Sequence, residues 1–272
     1  MVRWLKQQEV ENLVRAVLFD LDETLILDEP VTREALAAAA ALAGPRVDAE
    51  RLAARAWEEA RRLWAEGPHA AYCERIGHSA GEGLWARYDR GEHPEILGLR
   101  AWTPGYRVAV WRSALAEQGV RDDALAEAMA ERFAAARRRY PRYPEVDPLL
   151  SALRERGYVL GIVTNGVPDL QRTKLAGSGL EAEFDAVVIS GEIDCGKPDP
   201  GIFRHICREL GVSPAEAVMV GDNPGRDVAG GRAAGLLTVW VQRGGRARDE
   251  LYPADLECTD LSALLPWLAK LG

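Results

Sequence analysis

The chain alternates between short apolar runs and longer stretches whose apolar residues recur every three or four positions. Five runs read as strands: RAVLFDL (15–21), YVLGIVTN (158–165), FDAVVIS (184–190), AVMVGD (217–222) and LLTVWVQ (236–242). Each is short, rich in β-branched residues and free of strict polar alternation, the pattern of a strand covered on both faces. From the second run onward, helical patterns separate them: PDLQRTKLAGSGL (168–180), DPGIFRHICRELGV (199–212) and RDVAGGRAAG (226–235). In the middle one, Phe203, Ile206, Cys207 and Leu210 form an apolar stripe, and Pro200 suits a first helical position. This alternation predicts an α/β protein with a doubly wound, mostly parallel sheet of the Rossmann-like kind. Right-handed crossovers leave few other topologies.

The interval between the first two strands is far longer than one crossover needs. Its patterns are helical: REALAAAAALAG (33–44), DAERLAARAWEEARRLWAEG (48–67), YRVAVWRSALAEQGV (106–120) and RDDALAEAMAERFAAARRRY (121–140). In the second, Leu52, Ala56, Ala60 and Leu63, with Trp57 and Trp64, mark one face. PRYPEVDP (141–148), with three prolines, reads as the return linker. The organisation expected is an all-helical domain, residues 28–145, inserted between two parts of one α/β domain, 1–27 and 146–272.

Composition narrows the class. Of 272 residues, 47% are hydrophobic and 28% charged, as in soluble globular proteins, and the formal net charge of −8 disfavours nucleic acid or an anionic membrane as partner. The N-terminal stretch MVRWLKQQEVENLVRAV lacks the apolar core of a signal peptide, and no apolar run reaches the roughly 20 residues of a membrane span. The four cysteines, Cys73, Cys195, Cys207 and Cys258, are widely spaced, which suits reduced residues of a cytoplasmic protein better than a disulfide framework or zinc site. Thirty arginines accompany only four lysines, at 6, 174, 197 and 270. In such a chain each surviving lysine gains weight as a chemical group.

The candidate chemistry lies where the strands end, the edge at which open α/β sheets bind ligands. The first strand ends in Asp20 and Asp22, and the second in Thr164, Asn165 and Gly166. Past the third comes GEIDCGKPDP with Lys197, and the fourth ends in GDNPGRD with Asp222, Asn223 and Asp227. Two aspartates one residue apart repel, so a cation is expected to hold them. Taken singly, each site has a structural explanation, whether loop, helix cap or turn. Together they require several coincidences.

Four ordered motifs, FDLDETL (19–25), TNG (164–166), KPDP (197–200) and GDNPGRD (221–227), resemble the haloacid dehalogenase-like hydrolase superfamily. The insert matches that superfamily's helical cap in position and character. The resemblance implies that Asp20 attacks the substrate's phosphorus. It implies that Asp22 protonates the leaving oxygen and then activates water against the aspartyl-phosphate. It also implies Mg²⁺ held by Asp20, the Asp22 backbone carbonyl and Asp222, with Asp227 and Asn223 supporting those ligands. A hard cation with oxygen ligands would bring a phosphate dianion and a carboxylate together. Lys197 can bind both a phosphate oxygen and Asp20. Thr164 and the backbone N–H groups of Asn165 and Gly166 can take the remaining phosphate oxygens.

Asp22 favours a phosphatase over the dehalogenases proper, which lack an acid there because halide leaves unprotonated. No lysine lies between residues 7 and 173, so the cap-lysine chemistry of phosphonatases is disfavoured. The reading is a Mg²⁺-dependent phosphatase of a small phosphorylated metabolite, monomeric or homodimeric. A phosphomutase, a dehalogenase-type hydrolase and a non-catalytic phospho-ligand or partner-binding protein are the alternatives. GLWARYDRGEHPEILGLRAWTPGY (83–106) is the expected specificity segment over the site. The insert tryptophans are expected mostly as core, His69, His78 and His93 at the surface or as caps, and Arg137–Arg139 as a solvated helix end.

Overall fold

The computed structural model describes residues 14–243 and 251–271. The N-terminal residues read above for targeting signals, up to residue 13 and including Lys6, lie outside the described residues. Six parallel strands among the described residues form one sheet: β1 (Ala16–Phe19), β2 (Val159–Thr164), β3 (Ala186–Ile189), β4 (Ala217–Gly221), β5 (Leu237–Val241) and β6 (Leu256–Cys258). Their order is β3-β2-β1-β4-β5-β6, so the order reverses between β1 and β4. The five expected strands are all present. β6 is additional; it is a half-exposed tripeptide, LEC, with no apolar run to mark it.

Successive strand residues face opposite sides of the sheet. Val17, Phe19, Leu160, Ile162, Val218 and Val220 pack on one side with α7 (Val146–Glu155) and with Leu175 of α8 (Pro168–Ser178). Ala16, Leu18, Val163, Ala217 and Met219 pack on the other, against Ile202, Phe203 and Ile206. Those last three lie on α10 (Pro200–Glu209), the stripe read from the sequence; the single turn α9 (Ser190–Ile193) precedes it. α11 (Ala229–Ala234) follows β4, and α12 (Leu264–Leu268) is the last helix among the described residues. Double coverage explains why the strands read as unbroken apolar runs.

Between β1 and β2 run α1 (Glu29–Ala40), α2 (Ala49–Ala65), α3 (Ala70–Ile76), α4 (Ala80–Gly83), α5 (Pro94–Glu117) and α6 (Asp123–Ala136). They share their own apolar cluster, which includes Trp64, Trp85, Trp111, Tyr88 and Phe133 and, among the described residues, reaches the sheet side through Val167 and Leu170. The insert tryptophans are therefore largely core, with Trp57 and Trp102 half-buried at its edge.

α5 starts at Pro94, before the expected residue 106, because His93 caps the Glu95 N–H and Pro94 occupies the first helical position. The supposed linker 141–148 is helical from Val146; Pro148 lies in the first turn, where its missing N–H costs nothing. The outgoing and returning chains run side by side, with Leu27 donating to the Pro141 carbonyl (2.9 Å) and Tyr143 to that of Leu25 (3.1 Å). Arg137 is no solvated helix end. It is 1% exposed, pairs with Asp28 and lies 4.5 Å over the Trp85 ring, while Arg138 and Arg139 are exposed. His78 is buried rather than at the surface, bonded to the Tyr88 hydroxyl at 2.9 Å. Among the described residues no helix is long and apolar enough to cross a membrane.

Candidate active site

The chain makes a tight loop directly after β1. The Leu21 carbonyl accepts from the N–H groups of Thr24, Leu25 and Ile26, and Glu23 takes a left-handed φ of 60° to allow it. Glu23 then caps the start of α1, accepting from the N–H groups of Asp28 and Glu29, and receives the Tyr143 hydroxyl at 2.8 Å. This loop places Asp20 and Asp22 on the rim of the sheet, beside the reversal in strand order.

Asp20 is 7% exposed and accepts from the Thr24 hydroxyl at 3.3 Å. The Lys197 ammonium donates to Asp20 Oδ1 at 2.5 Å and pairs with Asp227 Oδ1 at 2.7 Å. Carboxylate oxygens of Asp20, Asp222 and Asp227, all buried, lie within 4.8 Å of one another. Burial opposes the Lys197 charge, yet Asp20 and Asp227 outweigh it and raise its pKa above the ordinary lysine value. Burial also raises Asp227, against the pull of Lys197. Lys197 thus offsets the charge of Asp20 and Asp227.

The neighbouring backbone is held by side chains. Asn165 donates Nδ2 to the Lys197 carbonyl (2.9 Å) and accepts the Lys197 N–H at Oδ1 (2.8 Å). Its side chain therefore fixes the lysine's backbone. Asp227 Oδ2 accepts the Asn223 N–H at 3.0 Å, Asn223 Oδ1 accepts that of Arg226 at 3.2 Å, and the Trp240 indole donates to the Asp222 carbonyl at 3.0 Å. Thr164 is buried and its hydroxyl accepts from Gln171 at 2.5 Å. Gly166 departs from expectation. Its N–H is given to the Ile76 carbonyl (3.1 Å) and the Ser190 hydroxyl (2.9 Å), so it ties the insert to the sheet instead of facing a ligand.

Asp22 belongs to a second network that the motifs did not reveal. Lys174 on α8, fully buried, donates to both Asp22 oxygens at 2.9 and 2.8 Å and to Glu82 Oε1 at 3.0 Å. Its ammonium also lies 3.7 Å from Asp28. Gln171, one turn earlier on the same helix, donates to Asp22 at 3.1 Å. Glu82 arrives from α4, where its other oxygen accepts the N–H and hydroxyl of Ser79, both at 2.9 Å. Burial pushes Asp22 up to about 7, partly countered by Lys174 and reinforced by Asp28 and Glu82. Burial would raise Glu82 too, but Lys174 and His78 hold it well below the usual carboxylate range. Two signals pointed here: the scarcity of lysine, and the Ser79–Glu82 spacing of a helix capping box.

One cavity of about 670 Å³ gathers these groups. Asp20, Asp22, Thr164, Asn165, Lys197, Asp222, Asn223 and Asp227 line it; Gly166 does not. Its far wall comes from α1 and α2 through Arg33, Leu36, Ala53 and Trp57, with Ser79 and Glu82 beside them. No residue of 83–106 lines this cavity, so the expected specificity segment is displaced by the first two insert helices. The reason is packing: Trp85, Tyr88, Leu99 and Tyr106 are spent on the insert's own core.

The profile of the haloacid dehalogenase-like hydrolases matches residues 14–235. A phosphoserine phosphatase of Thermus thermophilus is 46% identical over 248 residues, 91% of this chain and 96% of that protein. Among solved structures, a HAD phosphatase from Thermococcus onnurineus is 30% identical with a TM-score of 0.54, covering 94% of this chain and 98% of its own. A 2-haloacid dehalogenase from Pseudomonas syringae pv. tomato is 29% identical with a TM-score of 0.58, covering 95% and 100%.

Proposed function

Because this chain belongs to the haloacid dehalogenase-like hydrolase family, we propose that it is a phosphatase of a small phosphorylated metabolite that works through an aspartyl-phosphate on Asp20. The observation that carries this reading is the meeting, in one cavity, of a lysine-paired buried aspartate with a second aspartate whose pKa lies about 7. Phosphoserine is the substrate to try first, given the function of the Thermus thermophilus relative.

Asp20 supplies the nucleophilic oxygen, held by Thr24 and Lys197. As its bond to phosphorus forms, the bond to the leaving oxygen breaks, and Asp22 in its protonated form gives that oxygen a proton. Asp22, now a carboxylate, takes a proton from the water that attacks phosphorus, restoring Asp20 and freeing phosphate. A pKa near 7 suits both duties at neutral pH. Thr164 and the Asn165 N–H, both at the cavity wall, would bind oxygens of the transferring group, and Lys197 would offset its charge. A dehalogenase has no use for the proton that Asp22 carries.

Three buried carboxylates within 4.8 Å form an all-oxygen donor set that fits Mg²⁺. Asp20, Asp222 and the Asp22 backbone carbonyl would hold the ion, with Asp227 and Asn223 steadying them. When bound, it would neutralise charge on the phosphoryl oxygens. Residues 28–145 would serve as a cap domain closing over the site from α1 and α2.

The test is phosphate release from p-nitrophenyl phosphate and phosphoserine, with Mg²⁺ and with EDTA. Turnover should need the metal, and Asp20→Asn should lower it by at least about 1,000-fold. Turnover surviving that substitution would remove Asp20 as nucleophile.

A further inference from the structure

Lys174 stands outside the four motifs, yet its ammonium donates twice to the acid that the proposed reaction needs. Its ammonium grips both oxygens of Asp22, which fixes the plane of the carboxylate and the direction of its lone pairs. The side chain of Asp22 is 26% exposed and lines the cavity, so it can reach a substrate there. The remaining donor of Lys174 goes to Glu82, which belongs to the insert, 92 residues away in the chain. The Ser79 capping box holds one oxygen of Glu82 and so aims the other at Lys174. Burying an ammonium completely is costly, and a side chain serving only to fill space would be apolar. Lys174 also lies 5.8 Å from the Trp85 ring, which Arg137 covers, so the insert surrounds the cation on two sides.

We propose that Lys174 is a positioning residue for Asp22, and that Glu82 makes this positioning depend on the insert being seated against the sheet. The inference rests on the reading of Asp22 as proton donor and base. With the insert away from the sheet, Lys174 loses Glu82 and keeps Asp22, its partner on the sheet side. With the insert seated, the ammonium is fixed from both sides and Asp22 is presented to the leaving oxygen.

The experiment compares an alkyl phosphomonoester, phosphoserine, with p-nitrophenyl phosphate. The alkoxide must be protonated as it leaves; the nitrophenolate need not be. The ratio kcat/KM reads steps up to the first bond cleavage, whereas kcat also includes hydrolysis of the aspartyl-phosphate, which needs Asp22 as base. In Lys174→Met, kcat/KM for phosphoserine should fall about 100-fold, while that for p-nitrophenyl phosphate changes less than about fivefold and its kcat falls about 10-fold or more. Asp22→Asn should give the same pattern in stronger form. The double variant Lys174→Met with Glu82→Gln removes one charge of each sign, which keeps the buried network balanced and guards against misfolding; it should show the same leaving-group dependence. Hydrogen exchange should also quicken at 77–83 in Lys174→Met while the sheet strands stay protected. Equal losses on both substrates, or recovery of phosphoserine turnover in the double variant, would reduce Lys174 to charge balance and overturn the proposal. A wild-type protein inert towards both substrates would instead remove the phosphatase reading itself.

Discussion

Replacing Lys197 by methionine keeps most of the side chain's length and removes its charge. In the native protein that residue is 5% exposed and its ammonium touches Asp20 at 2.5 Å and Asp227 at 2.7 Å, with Asp222 completing a cluster of three acids. Removing one partner of a buried pair costs about 3–5 kcal/mol, because the remaining charge is left uncompensated. We take about 3 kcal/mol, the lower end, since the cavity admits water to the cluster. For a protein of this length each kcal/mol lowers Tm by about 2–4 °C, so the expected drop is about 6–12 °C at pH 8 in EDTA. The sign of the pH dependence follows from Asp227. Burial already raises its pKa and Lys197 pulls against that rise. Without the lysine the native variant holds protons on its acids to higher pH than the unfolded chain does, so its stability falls as pH rises through the acid range. The deficit against wild type should therefore shrink towards pH 4.5, where the acids can protonate, and Mg²⁺ should restore more of the loss in the variant than it adds to wild type. Thermal unfolding followed by circular dichroism at the two pH values measures this. A drop below about 2 °C at pH 8, or an equal drop at both pH values, would refute the account of Lys197 as the group that holds the acids together.

Two further outcomes are expected. With Asp22 at about 7, kcat/KM for phosphoserine should decline as pH rises through that value, because the protonated donor is lost; Glu82→Gln removes a charge that raises Asp22, so the declining limb should move to lower pH, and a limb that stayed or moved upward would contradict the assignment. A methyl group at Gly221 would lie 2.3 Å from the Asp227 carboxyl carbon, so Gly221→Ala should displace that carboxylate at an overpacking cost of about 1–3 kcal/mol and raise the Mg²⁺ concentration needed for half-maximal phosphate release; an unchanged metal requirement would show that Asp227 gives the ion no support.

The amino-acid sequence determined the parts of this protein whose information is local and periodic. β1 to β5 read as apolar runs because both faces of each strand are covered. Asp20, Thr164, Lys197 and Asp222 then fell at the same sheet edge, because parallel strands share a direction and all end on one side. Spacing sufficed to bring Asp20, Lys197, Asp222 and Asp227 together, and all four line one cavity. β6 was too short and too exposed to leave a pattern.

What only the tertiary structure decided is how the insert meets the sheet. The pairing of Lys174 with Glu82, the use of the Gly166 N–H by Ile76, the burial of Arg137 on Asp28 and Trp85, and the replacement of 83–106 by α1 and α2 as the cavity wall all join segments distant in the chain. Helical periodicity says which face of an insert helix is apolar, but not which neighbour covers it. A charged residue looks the same in the sequence whether it ends in solvent or in a buried network. That choice is made by packing between helices whose order and tilt no short motif encodes.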